Sequence, residues 1–134
     1  MTAPVFQSFK DLVVWQKSMD LAEASYRLTT EFPKDEMYGM TAQIRRAAVS
    51  IAANIAEGHG RESTGSFVQF LRMAQGSLKE LETHLLLAGR VHIIRTEKIA
   101  PLLADCATIG KMLRSLVRSL QSKIDSREAE PRSS

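Results

Sequence analysis

Between Phe67 and Ala88 the apolar residues recur with offsets of four and three and no break: Phe67, Leu71, Ala74, Leu78, Leu81, Leu85 and Ala88. A strand alternates with period two and cannot put this set on one face; a helix puts all seven on one stripe. The four-three alternation is the heptad seam of a left-handed helix bundle. Arg72, Lys79, Glu80 and Glu82 fall off the seam, where water would solvate them. The pattern predicts a helix over about 63–90, opened by a capping Ser63. Gly76 lies inside it at a cost in helix propensity, so it is expected to mark a close helix approach.

Three further segments read as helices. The first spans about 8–31. Ser8 and Asp11 have capping-box spacing, and Leu12, Trp15, Met19, Ala22, Tyr26 and Thr29 form its stripe. Phe32-Pro33 ends it, because the residue before a proline disfavours helical dihedrals. The second starts at about Glu36 or Thr41 and runs to Glu57 (36–57 at its widest), with Ile44, Ala48, Ile51 and Ile55 as its core line. A second line of small apolar residues, Ala42, Val49, Ala53 and Ala56, lies on another face. Only Arg45 and Arg46 are charged between Met37 and Ala56. A helix apolar on two sides needs two partners, and a four-helix bundle covers one. A neighbouring subunit is the simplest second partner. The fourth spans about 97–124, with Ile99, Leu102, Cys106, Ile109, Leu113, Leu116, Leu120 and Ile124 as its seam and Pro101 near its start. Residues 125–134 are polar and expected to fray.

Short connections favour antiparallel neighbours, so the expected fold is all-α: one up-down-up-down antiparallel four-helix bundle over residues 1–134. Composition agrees. The chain has 134 residues, 44% hydrophobic and 25% charged, an ordinary globular balance. One cysteine, Cys106, excludes an internal disulfide and a multi-cysteine zinc site. No signal peptide and no run of 18 apolar residues is apparent, so a cytoplasmic location is expected.

The charge is uneven. Residues 1–60 carry six Lys/Arg and seven Asp/Glu, whereas residues 61–134 carry twelve and eight. No acid falls between Asp105 and Asp125, yet Lys111, Arg114, Arg118 and Lys123 do. Lys111, Arg114 and Arg118 follow helical spacing and share a face. That face is either a solvated helix surface or a stripe for phosphates.

No catalytic constellation stands out. His59, His84 and His92 form neither a His-x-x-x-His nor a Glu-x-x-His pair, so the di-iron bundle signature is missing. Cys106 and Trp15 lie on seams and read as core residues. No nucleophile elbow or phosphate loop occurs. The chain is therefore expected to be no enzyme, with no metal and no cofactor. The stretch Gly58-His59-Gly60-Arg61-Glu62-Ser63-Thr64-Gly65 joins two helices. Its helix N-terminus, with Arg61 and His59, could hold an anion. The simpler reading is a tight turn in which Gly58 or Gly60 takes a positive φ and Ser63 caps the next helix. Asn54 and Glu57 interrupt an apolar run and need partners; Glu57 could pair with Arg61.

Several segments together are similar to a known family: Phe9-Lys10-Asp11-Leu12-Val13-Val14-Trp15-Gln16-Lys17, Phe32-Pro33 with Glu36 and Tyr38-Gly39, and Gln43-Ile44-Arg45-Arg46-Ala47-Ala48-Val49-Ser50-Ile51. To these add Ala53-Asn54-Ile55-Ala56-Glu57-Gly58, Gly60-Arg61, Phe67, Phe70-Leu71, Ala74, Gly76-Ser77-Leu78 and Glu80-Leu81-Glu82-Thr83. The chain resembles the bacterial four-helix-bundle proteins first recognised as open reading frames in intervening sequences of 23S ribosomal RNA genes. The resemblance covers roughly residues 8–124. It implies an up-down bundle that assembles into a five-subunit ring with a central channel. A related branch, the accessory variability determinant of diversity-generating retroelements, is a basic pentamer that binds nucleic acid and a reverse transcriptase. By that analogy a reverse transcriptase is a candidate partner.

The expectation is thus a non-enzymatic homo-oligomer, a pentamer by resemblance, that binds RNA or DNA. Lys111, Arg114 and Arg118 are the leading contacts, followed by Arg45, Arg46, Arg61 and Arg72. The alternative is a structural or protein-interaction ring without affinity for nucleic acid.

Overall fold

The computed structural model describes residues 8–129. Within them the protein is all-helical, with four helices: α1 (Val13–Thr29), α2 (Met40–His59), α3 (Thr64–Arg90) and α4 (Thr96–Ala129). Each helix packs on the next, and α1 also packs on α4, closing the set around one core. The α2–α3 pair is the most intimate. Ser50 and Ser77, near the middles of these helices, meet through their hydroxyls at 2.8 Å. Gly58, near the end of α2, meets Phe67 and Phe70 near the start of α3.

The α3 seam lies where its spacing puts it. Leu71, Ala74, Leu78, Leu81, Leu85 and Ala88 are buried, and Phe67 is half-buried. The α2 core line, Ile44, Ala48, Ile51 and Ile55, is wholly buried. In α4, Ile99, Leu102, Cys106, Ile109 and Leu113 are buried, whereas Leu116, Leu120 and Ile124 are only partly covered.

Several expectations need correction. First, α1 does not start at Ser8. Ser8 caps a 3-10 turn, Phe9–Asp11, by accepting from the Lys10 N–H, and the extended Leu12 then separates that turn from the helix. Second, the α1 core face is Val14, Ser18, Leu21, Ala22, Ser25, Leu28 and Thr29. Met19 and Tyr26 are exposed, and Trp15 is half-buried with its ring edge-on to Phe9 at 5.1 Å. The inward Ser18, Ser25 and Thr29 each donate to the carbonyl four residues back, so none of these three hydroxyls goes unpaired. Third, Gly76 is exposed and nothing lies within 4 Å of a Cβ built there; the close approach is at Gly58. Fourth, the region beyond Ile124 is helical as far as Ala129, with residues 130–134 outside the described part.

The connections have local causes. Glu36 accepts from the Met40 N–H at 3.1 Å and so holds the first turn of α2, which begins at Met40, beside the later of its two expected starts. Ser63 caps α3 by accepting from Ser66 N–H at 3.1 Å. No glycine has positive φ, so Gly58 and Gly60 do not make the expected left-handed turn. Gly58 is helical and buried instead. The left-handed residue is His92, with φ 63°, where α3 ends and Ile93 N–H reaches back to the Ala88 carbonyl at 2.9 Å.

Candidate functional site

Two surfaces stand out. The first is an open apolar groove of about 600 Å³ between α1 and α2. Trp15, Met19, Ala22 and Tyr26 line it from α1; Val49, Ala52, Ala53 and Ala56 line it from α2; Glu23 and Arg27 stand at its edge. Its floor is the predicted α1 stripe meeting the second apolar line of α2. Met19 is 39% exposed, Tyr26 44% and Val49 45%. Single exposed apolar side chains are ordinary, but a contiguous set marks an interaction surface.

One end of the groove carries a fixed cation. The Arg45 guanidinium lies over the Tyr26 ring at 4.6 Å. Its Nε donates to the Thr29 hydroxyl at 2.9 Å, and that hydroxyl in turn donates to the Ser25 carbonyl. Cation–π stacking and this bond hold the fork in place. Its terminal nitrogens have no hydrogen bond or ion pair among the described residues.

The second surface is a cleft between α3 and α4. Arg72 and Gln75 line it from α3; Arg114, Val117, Arg118, Gln121, Ser122 and Asp125 line it from α4. None of its three arginines has an ion-pair partner among the described residues. Asp125 is its acid, and it accepts from Gln121 at 3.2 Å. Unpaired guanidiniums flanked by amides and a hydroxyl suit phosphate oxygens.

The seven cations singled out by sequence thus fall in different places. Arg72, Arg114 and Arg118 come together, although Arg72 lies on another helix. Lys111 is exposed but lines the cleft between α1 and α4, beside Leu12, Val13, Met112 and Leu116. Arg46 is exposed on α2. Arg45 is held against Tyr26 and Thr29 beside the groove. Arg61 pairs with Glu57 at 2.6 Å and stacks on Phe70 at 4.8 Å. The pairing gives Glu57 the partner its place in an apolar run requires, and it commits the Arg61 side chain to its own turn. Asn54 finds its partners on Ser50, donating to the carbonyl and the hydroxyl.

Cys106 is fully buried, and burial, with Glu82 and Asp105 nearby, pushes its thiol up to about 12. It stays protonated and inert at neutral pH. His84 is half-buried on α3, 3.6 Å from Glu80. Among the described residues no group of three His, Cys, Asp or Glu side chains could hold a metal ion. Nor is any helix there long and apolar enough to cross a membrane.

An all-helical chain of four mutually packed helices, carrying an open apolar groove and an arginine cleft, is the class of protein these features define. The chain belongs to the 23S rRNA-intervening sequence protein family, whose model matches residues 10–115. Among solved structures it is similar to a protein of unknown function from the S23 ribosomal protein family of Bacteroides thetaiotaomicron. The two share 30% identity with a TM-score of 0.71, over 78% of this chain and 98% of that one. Among curated proteins none matches.

Proposed function

We propose that the protein is a non-enzymatic, cytoplasmic homo-oligomer, a ring of five up-down antiparallel bundles, that binds RNA or DNA through its α3–α4 clefts. The observation that carries self-association is the α1–α2 groove. A monomer leaving Met19, Tyr26 and Val49 open to water beside the half-buried Trp15 would be a solubility liability; a second copy covers them. The Ser50–Ser77 and Gly58–Phe70 contacts support the antiparallel course of α2 and α3.

Nucleic-acid binding is supported by Arg72, Arg114 and Arg118 in one cleft. A net charge of +3 per subunit is weak alone, but a ring repeats the cleft and the contacts act together. No aromatic side chain lines the cleft, so bases have nothing to stack on and sequence preference should be slight. The test is a salt titration of fluorescent RNA and DNA binding by the parent and by an Arg72→Glu, Arg114→Glu, Arg118→Glu variant. Affinity that falls steeply with salt and is lost in the variant supports the proposal. No binding at low salt, or equal binding by the variant, leaves a protein-interaction ring as the function.

A further inference from the structure

The groove is an apolar trough with the Glu23–Arg27 ion pair at its edge, and Arg45, stacked on the lining residue Tyr26, is the cation beside it that has no ion-pair partner among the described residues. Any occupant should offer an apolar knob with a carboxylate beside it. One segment of the chain has that form. In the connection between α1 and α2, Tyr38 is 96% exposed and Met37 48%. Asp35, three residues before Tyr38, is exposed and has no ion-pair partner among the described residues. The segment is a built loop. Glu36 N–H donates to the Pro33 carbonyl, Met37 N–H to Lys34 and Gly39 N–H to Glu36, while the Glu36 carboxylate holds Met40 N–H. These bonds hold the turn while its large aromatic side chain covers none of the protein's own core.

We propose that Tyr38, with Met37 beside it, inserts into the α1–α2 groove of a second copy, with Asp35 meeting that copy's Arg45. The inference rests on the self-association reading above and adds which surfaces meet. Tyrosine suits the role: it buries a large area at low entropic cost and keeps a polar tip. The main rival knob is Leu86, Leu87 and Val91 on and just beyond α3, each about half exposed. Arg90 is the only charged residue among them and would bring like charge to Arg45, whereas the Tyr38 loop, with Lys34 against Asp35 and Glu36, is net acidic. Knob and groove are different patches; passed on from copy to copy, rather than exchanged between two copies, the contact is head-to-tail. Such a contact builds rings or filaments, whereas a two-fold dimer buries one patch against itself.

The test uses the full chain with Tyr38→Ser (knob lost) and Val49→Glu (groove lost), each checked for helical circular dichroism. Each variant alone should self-associate at least about thirty-fold more weakly, as for an interface hot spot. Mixing them should restore one sound contact, giving a pair of twice 14.9 kDa and nothing larger. A Tyr38→Ser variant with the mass of the parent, or folded variants that stay single when mixed, would overturn the knob-in-groove contact while leaving self-association standing. A parent that is itself a single 14.9 kDa subunit would overturn both.

Discussion

Gly58 of α2 and Phe70 of α3 are so close that a Cβ on Gly58 would lie 2.6 Å from the Phe70 Cβ and 3.0 Å from the Phe67 ring. Both obstacles belong to packed aromatic residues at the closest helix pair of the fold. Gly58→Ala must therefore push α2 and α3 apart, and should cost roughly 1–3 kcal/mol. Gly76→Ala is the matched control. It meets nothing within 4 Å on an exposed helix face, and should stabilise by about 0.5–1 kcal/mol through helix propensity alone. Urea unfolding of the two variants checks the sign of each.

The core seam of α3 gives a second prediction. Leu78 is 2% exposed and belongs to the one cluster that all four helices share. Leu78→Ala removes buried methyl groups and leaves a cavity between packed helices, for a loss of roughly 2–5 kcal/mol. A change under 1 kcal/mol in the same unfolding assay would contradict its place in the core.

How legible these features were depended on what each helix hides. In α2 and α3 the core line is made of Leu, Ile and Ala, so hydrophobic period and burial coincide. In α1 they diverge. Its core face includes Ser18, Ser25 and Thr29, whose hydroxyls are satisfied by their own helix, so small polar residues pack inward. The large apolar residues Trp15, Met19 and Tyr26 lie on the groove side instead. Hydrophobic spacing reports any apolar face, whether buried in the core or left open, and here it found the groove. The second apolar line of α2 was legible as an unpartnered face for the same reason. The arginine cleft was only half legible, because Arg72 joins Arg114 and Arg118 through packing of α3 on α4, which no spacing within one helix encodes. Gly76 and Gly58 look alike in sequence; only the course of the neighbouring helix separates them.

His92 holds a left-handed conformation at φ 63°, which a side chain with a Cβ adopts at a cost of roughly 1–2 kcal/mol. Its exposed ring takes no part in either surface. His92→Gly removes that strain but adds freedom to the unfolded chain, so the net gain should be modest, up to about 1 kcal/mol. Thermal unfolding should show a rise in midpoint; a fall would mean the His92 side chain stabilises the turn.

Cys106 sets a pH dependence. Its thiol is pushed from 9.0 up to about 12 in the folded protein, chiefly by burial. Below pH 9 it is protonated in both states and adds no pH dependence. Between pH 9 and about 12 the unfolded chain releases the proton and the folded one keeps it, so stability falls as pH rises. The slope from this group approaches about 1.4 kcal/mol per pH unit. Cys106→Ala should flatten stability against pH over that window, whatever it costs in packing. At neutral pH a thiol reagent should label Cys106 only as fast as the protein opens; immediate labelling would contradict its burial.

Self-association through the α1–α2 face underlies both the proposed ring and the knob-in-groove contact, and the mass of the parent protein in solution tests it most directly. Light scattering at micromolar concentration should give several times the 14.9 kDa of one chain, with five copies as the expected number. Val49→Glu, which puts a charge into the groove without touching the core, should bring that mass down. A parent mass of 14.9 kDa at every concentration would contradict the account.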